Sequence, residues 1–230
     1  LQPVPSDHAV NTKAAVNSEL SPIKIAATDL NLANSNLPPV ISSVPSHGAL
    51  ALIQKSFAEL DGQACHSFVE GENSQKSGDA AKAKEHWIKA IAIMEMAIPI
   101  LRRETGVEDS TQMAEALRNV GRCYDELKEF DKSEKYYFDS AQMCARVSGA
   151  ACVGRGVSLV FLADSLINQK RFKDAEEPLM QSLPIYRQTY GDKSQYVAWT
   201  YQRLSRICLN TERKVEGNGW QEKADSILAN

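Results

Sequence analysis

The sequence predicts an all-α protein built from stacked antiparallel helix pairs. Apolar residues recur at helical spacing through most of the chain beyond residue 48. One block of such residues returns twice downstream at a fixed period of 42 residues. No segment alternates apolar and polar residues between hairpin turns, as a strand would.

The bulk numbers narrow the partners. Of 230 residues, 43% are hydrophobic and 24% charged, and the net charge is −3. That balance is ordinary for a soluble globular chain and gives no general attraction to nucleic acid or anionic membrane. No apolar run approaches the ~20 residues of a membrane span, so no direct membrane insertion is expected. The five cysteines are odd in number and form no CxxC. They read as small buried thiols, which favours a reducing compartment. The first residue is Leu1, consistent with removal of a targeting segment or with a missing start. Together these suggest an organellar matrix or stroma (chloroplast or mitochondrion), with the cytoplasm as the alternative.

Residues 1–48 read as an extended low-complexity tail. They hold Pro3, Pro5, Pro22, Pro38, Pro39 and Pro45 out of nine prolines, with no Arg and no aromatic residue. Ile23, Ile25, Leu30, Leu32 and Leu37 give this tail apolar anchors for a partner or for the body of the chain.

The helical body runs from 49 to 230. Ser46 after Pro45 is expected to be an N-cap, and Leu50, Ile53, Phe57, Leu60 and Ala64 form one stripe. Gly78-Asp79 breaks this helix. A long second helix spans 80–104, with Trp87, Ile91, Met94, Ile98 and Leu101 on its buried face. Pro99 is expected to kink it, because proline lacks the amide donor for the carbonyl one turn back. A polar loop at 105–112 leads to a helix pair at 113–147. Residues 148–156 are expected to be a small-residue loop, 157–190 another pair, 191–195 a short loop, and Tyr196 onward a last pair.

The repeat is explicit in the first helices. Leu117, Val120, Gly121 and Tyr124 align with Leu159, Leu162, Ala163 and Leu166, and both with Tyr201, Leu204, Ser205 and Cys208. The small residue in each set lets a neighbouring helix approach closely. Among the second helices, Phe130, Ser133, Tyr137 and Ala141 match Phe172, Ala175, Leu179 and Leu183 at the same offset. Gly106, Gly149 and Gly191 each follow a second helix, which suggests a left-handed C-cap. One helix pair cannot bury its own apolar stripe, whereas stacked pairs bury a continuous core.

These motifs resemble tetratricopeptide (TPR) repeats, and the 42-residue spacing is similar to the kinesin light chain type. The resemblance covers about 64–230, with units near 64–113, 114–155, 156–197 and 198–230. It implies a right-handed superhelix whose first helices line a concave groove. The last unit departs from the pattern at Lys214 and Gln221, as a solvent-facing terminal cap does.

By that resemblance, Glu115, Arg118, Asn119, Arg122 and Asp125 line the groove in one unit. Val157, Val160, Phe161, Asp164 and Ile167 follow in the next, then Trp199, Gln202, Arg203, Arg206 and Leu209. The apolar members of these sets are expected to form an open patch, flanked by Arg118, Arg122, Arg203 and Arg206 as partners for carboxylates. The tail segment 23–45 is an alternative occupant. Asn119 matches one position of the family's peptide-carboxylate clamp, but Phe161 and Arg203 stand at the corresponding positions, so the clamp is incomplete. The implied partner is another protein, alone or within a multi-subunit complex.

Chemistry of other kinds has little support. His8, His47, His66 and His86 form no metal-ligand pattern. Gly154-x-Gly156 follows no strand, and no P-loop or GxSxG occurs. Neither catalysis nor a cofactor nor a metal is expected, which leaves a non-catalytic interaction scaffold or an assembly or accessory subunit. An enzyme or small-molecule-binding helical repeat is the alternative. Cargo adaptation of the kinesin light chain kind lacks its upstream heptad coiled coil.

Overall fold

In the computed structural model the first three helices begin at side-chain caps, Ser56, Asp79 and Ser110. The structure describes residues 56–229. Among them the order is α1 (Phe57–Lys76), α2 (Ala80–Thr105), α3 (Thr111–Glu126), α4 (Phe130–Ser148), α5 (Val153–Asn168), α6 (Phe172–Tyr190), α7 (Gln195–Asn210) and α8 (Lys214–Leu228). No described residue lies in a strand. The expected tail at 1–48 and the Ser46 cap lie outside the described residues.

The start of α1 is a complete capping box. Ser56 Oγ accepts from the Glu59 amide at 3.3 Å, and Glu59 Oε2 accepts from the Ser56 amide at 2.8 Å. The second helix runs through Pro99 to Thr105. Pro178 and Pro184 likewise lie inside α6.

The turns within successive pairs repeat residue for residue. Lys128, Lys170 and Glu212 have φ of 63°, 63° and 64°, and they stand 42 residues apart. After each, an amide reaches back five residues: Glu129 to Tyr124 O, Arg171 to Leu166 O and Arg213 to Cys208 O, all at 2.9 Å. This satisfies carbonyls that a helix end leaves open. In the first pair Gly78 takes the same left-handed position, with φ of 84°. Between pairs, Gly106 is left-handed as expected (φ 67°, ψ 11°). Gly149 and Gly191 have φ of 86° and 85° with ψ near 160°, a region reserved for glycine rather than the left-handed helical well.

Each helix packs chiefly on its neighbours in sequence, and α3 also meets α5. The small repeat positions Gly121, Ala163 and Ser205 are all buried. At Gly121 a Cβ would lie 2.8 Å from the Tyr137 ring, so α3 and α4 touch more closely there than any side chain permits. Polar links run within and between pairs inside the core. Ser140 Oγ donates to Ala114 O of the same pair at 2.6 Å, and its hydroxyl lies 2.8 Å from that of Ser158 in the next pair. On the outside, Arg171 bonds Glu134 at 2.7 Å, and Arg213 bonds Glu176 at 2.6 Å one repeat later.

The segment 148–156 is corrected. Helix α5 begins at Val153, so Val153 to Gly156 are helical rather than loop. The glycines there permit close packing: a Cβ on Gly154 would stand 2.9 Å from Cys144 Sγ, and one on Gly156 3.2 Å from the Tyr186 ring. The last helix buries only Gly217 and Ala224, which agrees with its polar sequence.

Candidate functional site

The first helices α1, α3, α5 and α7 present a common face of half-buried side chains. On α3 these are Asn119, Arg122, Asp125 and Glu126; on α5, Phe161 and Asp164; on α7, Trp199, Gln202 and Arg206. Arg122 is its centre. Its guanidinium lies over Phe68 of α1 at 4.2 Å and over Phe161 of α5 at 5.5 Å. Phe161 in turn stacks on Tyr137 at 5.6 Å. Four helices from three successive pairs are thereby joined through one cation and three rings. Glu72 stands 3.9 Å from Arg122, at the limit of an ion pair.

Carboxylates flank that centre. Burial raises the pKa of Asp125, and Asp164 adds to the rise through like charge, against Lys128 and the hydroxyls of Ser165 and Ser133. Burial also raises Glu126, reinforced by Asp125 and Glu72. Asp125 Oδ1 is buried without a hydrogen-bond partner. Asp164 is engaged by Arg203 through paired bonds of 2.7 and 2.8 Å.

Several expected groove residues are inside the protein. Val157, Val160 and Ile167 are buried, so they do not form an open apolar patch. Helix α5 is packed by α3, α4 and α6, and a helix that is apolar on most sides is buried on most sides. Arg118 is only 2% exposed and donates to Ser158 Oγ at 3.5 Å, so it cannot meet an incoming carboxylate. Arg203 is buried too, with its charge committed to Asp164 and Nη1 donating to Trp199 O at 3.2 Å. The face keeps Asn119, Arg122, Phe161, Asp164, Trp199 and Arg206 at its surface. Trp199 closes one end of it, edge-on to Tyr196 at 5.7 Å.

Two features were missed by sequence reasoning. A cavity of about 450 Å³ lies between α4 and α6, floored by Leu159, Leu162 and Leu166 of α5 and walled by Phe138 and Pro178. Leu162 reads as core by its repeat position, yet it is only half-buried. The other feature is a set of possible metal ligands, Glu176, Cys208 and Glu216, whose ligand atoms lie within 4.8 Å of one another. Arg213 already binds both carboxylates, at 2.6 and 3.0 Å to Glu176 and 3.3 Å to Glu216, so their charge is balanced without an ion. No helix among the described residues is long and apolar enough to cross a membrane.

Residues 157–196 match the family model for the tetratricopeptide repeat. That segment is a tetratricopeptide repeat. Solved structures similar to this TPR chain include BtubC (BKLC) from P. vanneervenii, with a TM-score of 0.58, 16% identity and 73% of each chain covered. A putative kinesin light chain with TPR-like repeats from Podosopora anserina gives a TM-score of 0.51 at 14% identity, over 76% of this chain and 97% of that one. A Rap protein complexed with competence and sporulation factor gives 0.54 at 18% identity, over 73% of this chain and 43% of that one. At these identities the likeness is one of fold: the all-α helical-repeat superhelix of kinesin light chain-like TPR proteins. No curated protein matches the sequence.

Proposed function

We propose that this chain is a non-catalytic scaffold that holds a partner protein against its first-helix face, as an assembly or accessory subunit of a larger complex. The observation that carries the reading is the row Asn119, Arg122, Phe161, Trp199 and Arg206. It combines half-buried rings, donors and cations at groove positions of three successive first helices, with Arg122 packed on Phe161. Aromatic and Arg side chains in this setting are the usual anchors of protein interfaces. The similar Rap fold was solved with a bound factor, which supports use of this architecture for holding a partner.

The test compares proteins recovered on immobilised wild-type chain with those on Trp199→Ala, Arg206→Glu and Arg122→Glu, each checked for helical content by circular dichroism. Phe138→Asp, at the cavity between α4 and α6, is the control. The reading expects one partner that the control retains and all three folded face variants lose. Equal recovery by all four variants overturns it.

A further inference from the structure

We propose that Cys144 and Cys152 form a reversible disulfide site that links the end of the second helix pair to the start of the third. Cys144 lies in the penultimate turn of α4, and Cys152 is the N-cap residue of α5. Only the tight turn at 149–151 separates that cap from α4, closed by the Cys152 amide donating to Gly149 O at 3.2 Å. The Cys152 thiol turns back over α4 and donates to Cys144 O at 3.3 Å. It makes no capping bond to α5. From the other side, Cys144 Sγ lies against the backbone at Gly154, where a Cβ would stand 2.9 Å away. Both sulfurs are therefore held in one narrow space between the helix ends.

Their environments divide the roles. Cys152 is partly exposed and Cys144 is 3% exposed. Burial pushes the Cys144 thiol up to about 11, and both the charge of Cys152 and a hydrogen bond with its thiol add to the rise, while Arg118 opposes it. Cys144 thus stays protonated at neutral pH, and Cys152 is the thiol that meets an oxidant. A hydroperoxide converts the Cys152 thiol to a sulfenic acid and is itself reduced to water (or to the corresponding alcohol). The Cys144 sulfur then attacks the Cys152 sulfur. The S–O bond breaks, and the hydroxide leaves with the Cys144 proton as a second water. Two thiols lose two electrons and two hydrogens in all, and a thiol reductant reverses the change by exchange.

The joint so linked is the one where Arg118, Ser140 and Ser158 connect the second and third pairs. Oxidation replaces a weak thiol–carbonyl bond there with a covalent one.

The sequence supplies its own assay. Arg146 lies between the two cysteines and Arg155 follows the second, so trypsin releases Cys144 in peptide 136–146 and Cys152 in peptide 147–155. The folded full chain is treated with stoichiometric hydrogen peroxide, alkylated under denaturing conditions and mapped by mass spectrometry with and without dithiothreitol. The expected result is a linked 136–146/147–155 pair that dithiothreitol resolves, with Cys65, Cys123 and Cys208 still alkylated as free thiols. In Cys144→Ala the link is lost, and dimedone traps Cys152 as the sulfenic acid. Retention of all five thiols overturns the proposal. So does a Cys65–Cys123 link formed in preference, or oxidation of Cys152 to the sulfinic acid in place of the link.

Discussion

Arg203 of α7 grips Asp164 of α5 through two parallel hydrogen bonds, Nε to Oδ1 at 2.7 Å and Nη2 to Oδ2 at 2.8 Å. The two helices are the first helices of successive repeats. The guanidinium side chain is 8% exposed and the carboxylate side chain 22%. Paired forks of this kind combine charge with fixed geometry. Removing one partner strands the other in a poorly solvated place. Arg203→Ala is expected to destabilise the protein by roughly 3 kcal/mol, at the low end for a buried pair because Asp164 keeps some access to water. The double variant Arg203→Ala/Asp164→Ala should recover part of that loss. Chemical denaturation of the four proteins in this cycle checks it, and additive losses would refute the coupling.

Gly121 is a repeat position where even alanine does not fit. Its counterparts Ala163 and Ser205 carry a Cβ, but a Cβ at 121 would lie 2.8 and 2.9 Å from atoms of the Tyr137 ring. Tyr137 is 1% exposed and stacked on Phe161, so it has no room to retreat. Gly121→Ala is expected to cost about 1–3 kcal/mol despite the better helix propensity of alanine. An unchanged or higher melting temperature would show that α3 and α4 separate freely.

Those two cases show what the sequence reveals and what it hides. The 42-residue period located Gly121, Ala163 and Ser205 as close-approach positions because a small residue between large ones has one simple packing meaning. Gly149 and Gly191 stood out as helix ends because glycine recurs there at the same period, but the period did not reveal that their ψ lies near 160° rather than in the left-handed helical well. Burial of the groove-position side chains was not legible. Val157 and Val160 occupy groove positions by repeat register, yet α5 is enclosed by three helices, and register alone does not report how many neighbours a helix has. The commitment of Arg203 to Asp164 was also hidden, because the pair spans 39 residues and joins two different repeat positions.

Lys170 offers the opposite change, a gain from glycine. It holds φ of 63° between α5 and α6 and is exposed, and Lys128 and Glu212 repeat the conformation. A non-glycine residue pays roughly 1–2 kcal/mol for this region. Lys170→Gly relieves that strain and gives back part of it as unfolded-chain entropy. The expected net effect is a stabilisation of up to about 1 kcal/mol, whereas Lys170→Val is expected to destabilise. If urea midpoints rank valine at or above glycine, the left-handed turn is not a constraint on stability.

Asp125 makes stability depend on pH in a direction opposite to that of a paired carboxylate. Its pKa is raised above the ordinary 3.8, first by burial and then by the nearby Asp164 charge. The folded state therefore binds this proton more readily than the unfolded chain does. As pH rises from 3.8 through the raised value, the folded state gives up the proton and Asp125 becomes an increasing cost. Above the raised value that cost is present in full. Asparagine keeps the shape but cannot ionise, so Asp125→Asn escapes it. The variant is expected to be more stable than wild type at pH 7, and the difference should shrink as pH is lowered toward 3.8. The comparison is made by urea denaturation of both proteins at several pH values between 4 and 8. Background titration of the other carboxylates cancels in the difference. A gap that is absent at pH 7, or that widens on acidification, would mean that Lys128 and the Ser133 and Ser165 hydroxyls outweigh burial at this site.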